Sequence, residues 1–300
     1  AKEIVAMELS VTTRRWEEGG HYVEMAGMRV WVCERGDGPV VFLLHGFPTS
    51  SYDWRGVMEV LSAEYRCVAL DFPGYGLSDK PEAWSYSIFQ QTDVAEDVAR
   101  VLGITRAHVV SHDVGTSVHT EFLAREKEGR LGFEVVRSTF LNGSMLQDLA
   151  TITPFQKLLA NNDTLPQGMA VCENMGPNYV EGLKSVMKRP ECVSEEDALV
   201  MTELMARGSG NRRMPSIAIY MRERYIHKER WVGALRETTK PLQFVWADGD
   251  PVANVELGRA LRDECPNAKY TELSGLGHFL LMEDPVAVAS RIREFIGGLE

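Results

Sequence analysis

The chain has 300 residues, with 43 Asp and Glu against 32 Lys and Arg, for a formal charge of −11 at pH 7. This surplus of negative charge argues against nucleic acid as a partner, because phosphate neutralisation needs clustered basic residues. No run approaches the ~20 apolar residues that cross a bilayer, so no membrane span is expected.

In chain order, Ala1–Ala6 lacks the apolar segment of a secretory signal, so a cytoplasmic location is expected. The missing initial Met leaves a removed leader or tag open. His21–Met25 and Met28–Val32 flank Ala26-Gly27 and predict antiparallel strands. Val40–Leu44 is apolar throughout, as a strand buried on both faces is. Cys67–Leu70, His108–Val110, Ser138–Leu141, Leu242–Trp246 and Tyr270–Leu273 predict further strands. Val94, Val98, Val101 and Leu102 fall on one helical face, with Gly103 as the stop. Asp284-Pro285 opens a last helix, with Val288, Ile292, Phe295 and Ile296 as its buried stripe and Gly297-Gly298 as its end.

Strands alternating with helices predict an α/β fold, a mostly parallel sheet covered on both faces. Residues 145–232 break the alternation: they are helix-like, rich in Leu and Met, and punctuated by proline. They predict an inserted helical cap over a core made of residues 1–144 and 233–300. The five cysteines, Cys33, Cys67, Cys172, Cys192 and Cys265, are scattered and lack Cys-x-x-Cys spacing. They fit buried, reduced thiols better than a disulfide framework or a zinc site.

The stretch Val109–Ser117 runs from a strand through a sharp turn into a helix. A turn that displays its central side chain admits only small residues at positions −2, +2 and +3. Centred on Asp113 these are Ser111, Gly115 and Thr116; centred on Ser111 they are Val109, Asp113 and Val114, which are too large. The exposed slot therefore holds an aspartate, although an aspartate capping the next helix remains an equal reading of this stretch alone. His45-Gly46-Phe47-Pro48 follows strand Val40–Leu44 where an oxyanion loop belongs. The N–H groups of Phe47 and Val114 are the candidate donors. In Asp71–Pro81 the glycines serve tight turns, and no Gly-Lys-Ser/Thr makes a phosphate loop.

The succession HGFP, DFPGYGLSDKP, SHDVGT resembles the α/β-hydrolase fold, in its aspartate-nucleophile branch of epoxide hydrolases and haloalkane dehalogenases. His45–Trp54, Tyr86–Phe89, Arg230–Leu235 and Asp250–Val252 are similar to the mesoderm-specific transcript proteins within that superfamily. The resemblance implies a triad in the order nucleophile, acid, histidine: Asp113, Asp250 and His278. Asp248 is the local competitor for the acid and fits a turn role better. Among seven histidines, His278 alone lies in a Gly-flanked loop at a strand end downstream of the acid, whereas His45 and His112 belong to structural turns.

An aspartate is ionised at neutral pH and attacks sp³ carbon without a base, giving an alkyl-enzyme ester that water activated by a histidine then hydrolyses. No metal or organic cofactor is required. The resemblance implies opening of a small hydrophobic epoxide, with Tyr220 as proton donor; a packed cap aromatic is its alternative reading. Tyr179 is also available in the cap, without a supporting motif. Haloalkane dehalogenation is the alternative reaction, but Phe47 and Val114 offer no side-chain donor to a halide. A third reading is a fold relative that binds without catalysis. Arg222–Arg230 reads as a mixed-sign helix face in water. Homodimer formation is left open.

Overall fold

The computed structural model describes residues 8–25 and 27–297. Ala1–Ala6, Ala26 and Gly298, on which the signal, hairpin and helix-end expectations partly rest, lie outside the described residues. Among the described residues eight strands form one sheet: β1 His21–Met25, β2 Met28–Arg35, β3 Val40–Leu44, β4 Arg66–Leu70, β5 Arg106–His112, β6 Glu134–Leu141, β7 Leu242–Ala247 and β8 Lys269–Leu273. Their spatial order is β1-β2-β4-β3-β5-β6-β7-β8. β1 and β2 pair antiparallel, as does β2 with β4, and every later pairing is parallel. The chain thus forms an α/β fold with a mostly parallel sheet.

β3, β4 and β7 are buried almost throughout, which is why they read as unbroken apolar runs. β8 closes one edge and stays half exposed. Two groups of helices flank the sheet. Helix Gly115–Lys127 packs with Ile88–Val101 and Lys228–Glu237, and helix Pro285–Gly297 packs with Arg55–Leu61. The last helix buries Val288, Ile292 and Ile296, with Phe295 half buried. Asp284 caps it, accepting from Ala287 N–H at 3.0 Å.

One expected core position is corrected. Val94 and Val98 are buried, but Val101 is 49 % exposed. Gly103, at φ +68°, turns the chain there so that Ile104 goes inward instead.

Between β6 and β7 the described chain carries helices and no strand. The boundary expected between residues 232 and 233 falls inside helix Lys228–Glu237, which packs on helix Gly115–Lys127 beneath the sheet's centre. All five cysteines are free; four are buried, and Cys192 is half buried rather than fully so.

Candidate active site

β5 ends at His112, and Asp113 follows with φ +49°, a strained conformation for a residue with a side chain. The turn is tolerated because its neighbours are small. A Cβ on Gly46 would lie 2.6 Å from the Asp113 Cβ, and one on Gly115 would lie 2.5 Å from the Leu44 carbonyl. Thr116 ties the turn off: its N–H and its Oγ1 both donate to the Asp113 carbonyl, at 3.1 and 2.5 Å. Ser111, the rejected centre, is fully buried and paired with His119 Nδ1 at 2.8 Å.

The Asp113 carboxylate meets the residues singled out in the sequence. Phe47 N–H donates to Oδ1 at 2.7 Å, and His278 Nε2 lies 3.4 Å from Oδ2. On its other side His278 Nδ1 contacts Asp250 Oδ2 at 2.7 Å. Asp250 is held in turn by Val252 N–H at 2.7 Å and Asn142 Nδ2 at 2.9 Å. Val114 is buried at the start of the helical turn. Asp248 is exposed and accepts from Gly275 N–H at 2.9 Å, a turn contact. His45 accepts from Phe72 N–H through Nε2, and His112 Nε2 donates to the His278 carbonyl at 2.8 Å, so both hold loops.

Charge and burial act strongly here. Burial alone would raise the Asp113 carboxyl, but the His278 hydrogen bond and charge, with help from Arg224, hold it well below the usual carboxylate range. Burial lowers His278, yet Asp250 and Asp113 outweigh it and push the imidazole up to about 10. Both shifts run in the direction that favours a carboxylate–imidazolium pair.

Asp113 and His278 open on a cavity of about 630 Å³, lined mainly by Phe47, Phe155, Val171, Met175, Leu183, Val186, Val252 and Phe279. Gln156 and Tyr179 also line it. Tyr179 spends its hydroxyl on the Pro48 carbonyl at 2.9 Å. Tyr220 is buried, with its ring 5.4 Å from that of Phe47, and its hydroxyl accepts from Gln156 Nε2 at 2.9 Å. Burial, then the Asp113 charge, raises its phenol well above the ordinary value, so it is protonated at neutral pH.

Two residues at the site escaped the sequence reading. Gln156 has a legible signal: Thr153-Pro154-Phe155-Gln156 is a capping box with proline at the first turn, and the structure contains it. Arg224 was placed in a solvated charged run, and that expectation is corrected. Arg222, Tyr225 and Ile226 are exposed, but Glu223 and Arg224 are buried. Glu223 accepts from Ser87 Oγ and Ile88 N–H at the start of helix Ile88–Val101. Arg224 reaches the Asp113 carbonyl at 2.9 Å. Residue type alone cannot reveal that this face packs onto the core.

Residues 40–291 match the model of the alpha/beta hydrolase family. The Mycobacterium tuberculosis protein LipZ is 37% identical over 282 residues, covering 93% of this chain and 96% of LipZ. The human mesoderm-specific transcript homolog protein is 32% identical over 299 residues, covering 96% of this chain and 89% of that protein. Among solved structures, haloalkane dehalogenase DbeA from Bradyrhizobium elkani superposes with a TM-score of 0.77 at 24% identity, over 93% of this chain and 97% of DbeA. Epoxide hydrolase CorEH superposes with a TM-score of 0.75 at 20% identity, over 94% and 99% of the two chains. No described helix is long and apolar enough to cross a membrane. The chain belongs to the alpha/beta hydrolase family.

Proposed function

We propose that the protein is an epoxide hydrolase that works through an alkyl-enzyme ester on Asp113, with His278 as base, Asp250 orienting it and residues 145–232 serving as the cap. The observation that carries this reading is Asp113 lining an apolar cavity together with Gln156, whose amide donates to the buried hydroxyl of Tyr220 behind it. An Asp113 oxygen attacks an epoxide carbon, the C–O bond breaks, and Tyr220 protonates the departing oxygen. Asp113 thereby loses its charge. His278 then loses one of the two carboxylates that raised its pKa, and its proton returns to the Tyr220 phenolate.

Neutral His278 takes a proton from water, and the hydroxide attacks Asp113 Cγ. Negative charge gathers on the oxygen held by Phe47 N–H, with Val114 N–H as its partner donor. Collapse breaks the ester C–O bond, and the departing alkoxide takes the proton from His278 and leaves as the diol. The Asp113 acid then returns its proton to His278, restoring the carboxylate. Among the described residues lining the cavity there is no Lys or Arg, which favours neutral hydrophobic epoxides over carboxylate-bearing ones.

Incubation with styrene oxide tests the reading. The expected result is phenylethanediol from the unaltered protein and none from Asp113→Ala. Bromide release from a bromoalkane, without diol from any epoxide, overturns it in favour of dehalogenation.

A further inference from the structure

Helix Ile219–Ile226 sends Arg224 down onto the elbow, where its side chain is 2 % exposed. Nη2 donates to the Asp113 backbone carbonyl at 2.9 Å, Nε to Ser117 Oγ at 2.9 Å, and Nη1 to Gln147 Oε1 at 3.3 Å. All three acceptors are neutral. The nearest acidic residue in sequence, Glu223, is occupied by Ser87 and Ile88, and Glu121 by Arg125, Arg230 and Trp231. Among the described residues Arg224 has no salt-bridge partner. A buried cation is ordinarily paired, because desolvation without an opposite charge is costly. The negative charge it serves is that of Asp113, whose ionised form it favours.

A fixed cation near Asp113 acts unequally on the two halves of the proposed reaction. Ring opening starts from the carboxylate and ends at a neutral ester, so the cation favours the starting state at least as much as the transition state. Ester hydrolysis starts neutral and builds an oxyanion on the Asp113 carboxyl, so the same cation favours the transition state. In that step water loses a proton to His278, its oxygen bonds to Cγ, and the oxyanion collapses. The ester C–O bond breaks as the departing alcohol oxygen takes the proton back from His278.

We propose that Arg224 is a positioning residue for the hydrolytic half-reaction, fixing the elbow through the Asp113 carbonyl and supplying the standing positive charge that the oxyanion needs. This rests on the epoxide reading above. The guanidinium also lies over the Tyr220 ring, 4.8 Å from its centroid, a contact that helps hold Arg224 itself in place.

The test is rapid-quench intact-mass analysis of Arg224→Met, Arg224→Gln and Arg224→Lys with styrene oxide, His278 being left in place. In Arg224→Met ester decay slows about 30-fold while ester formation changes less than about threefold, so ester accumulates. Arg224→Gln, which keeps hydrogen bonding without charge and stands in should the Met variant not fold, gives the same split. Arg224→Lys recovers part of the decay rate. Equal slowing of both steps, or unchanged decay, overturns the proposal. His278→Gln is run in parallel: ester there alongside unchanged decay in Arg224→Met overturns the role of Arg224 alone. No ester in His278→Gln overturns the epoxide reading beneath it.

Discussion

Gln156 donates its side-chain amide to the Tyr220 hydroxyl, and the direction of that bond is fixed from the far end. Its Oε1 accepts from Thr153 N–H at 2.8 Å, so its Nε2 must be the group that faces Tyr220 at 2.9 Å. The phenol oxygen is therefore an acceptor toward Gln156, and its own proton is free for another acceptor. Tyr220→Phe lowers epoxide ring opening by about 10²-fold or more. Gln156→Leu lowers it by about tenfold, the cost of roughly one hydrogen bond. Pre-steady-state ester formation measures both, and equal rates in all three proteins contradict the assignment.

Asp250 and Asp248 stand two residues apart, and only one touches His278. Asp250→Asn removes the charge that orients and stabilises the imidazolium, and turnover falls on the order of 10³-fold. Asp248→Asn leaves turnover within about twofold, because its contact is a turn hydrogen bond at the surface. Steady-state rates of the two variants separate them, and the reverse order contradicts the triad.

The state of His278 gives a pH dependence. In the resting protein the imidazole is pushed up to about 10 by Asp250 and Asp113 against the effect of burial. Esterification removes the Asp113 charge, so the value falls. An imidazolium cannot take a proton from water, so ester decay is lost at low pH and gained as pH rises through the lowered value. Quenched-flow decay rates across the pH range have their midpoint below 10. A flat profile, or a midpoint at or above the resting value, contradicts this sequence of events.

Gly46 faces the back of Asp113. With no room for a Cβ 2.6 Å from the Asp113 Cβ, Gly46→Ala displaces the carboxylate or the Phe47 N–H that holds it. Activity falls about 10²-fold, the cost of a misplacement near 1 Å. Full activity with an unchanged thermal midpoint contradicts the close approach.

Glu121 is fully buried on helix Gly115–Lys127 and accepts from Arg125, Arg230 and Trp231. Glu121→Ala removes the buried acceptor shared by these three donors, while Arg125 keeps Asp93 and Glu96 and Arg230 keeps Glu128, so the cost in denaturant unfolding is about 1–3 kcal/mol. A loss below about 1 kcal/mol places the network among screened surface pairs instead.

These particulars show what local sequence encodes. Parallel strands such as Val40–Leu44 are legible because burial on both faces leaves an unbroken apolar run. The elbow is legible because its strain excludes large neighbours, and Asp113, Phe47, Asp250 and His278 do converge in space. Arg224 was hidden because its meaning depends on which face of its helix meets the core. Val101 was misread because a helix pattern does not say where the partner surface ends.

Intact-mass spectrometry of His278→Gln after incubation with styrene oxide is the most direct measurement. The expected result is a stable increase equal to the whole epoxide, mapped to the peptide that carries Asp113 and absent from the Asp113→Ala, His278→Gln double variant. A folded variant with no increase, or one mapped to any other residue, contradicts the aspartyl-ester mechanism.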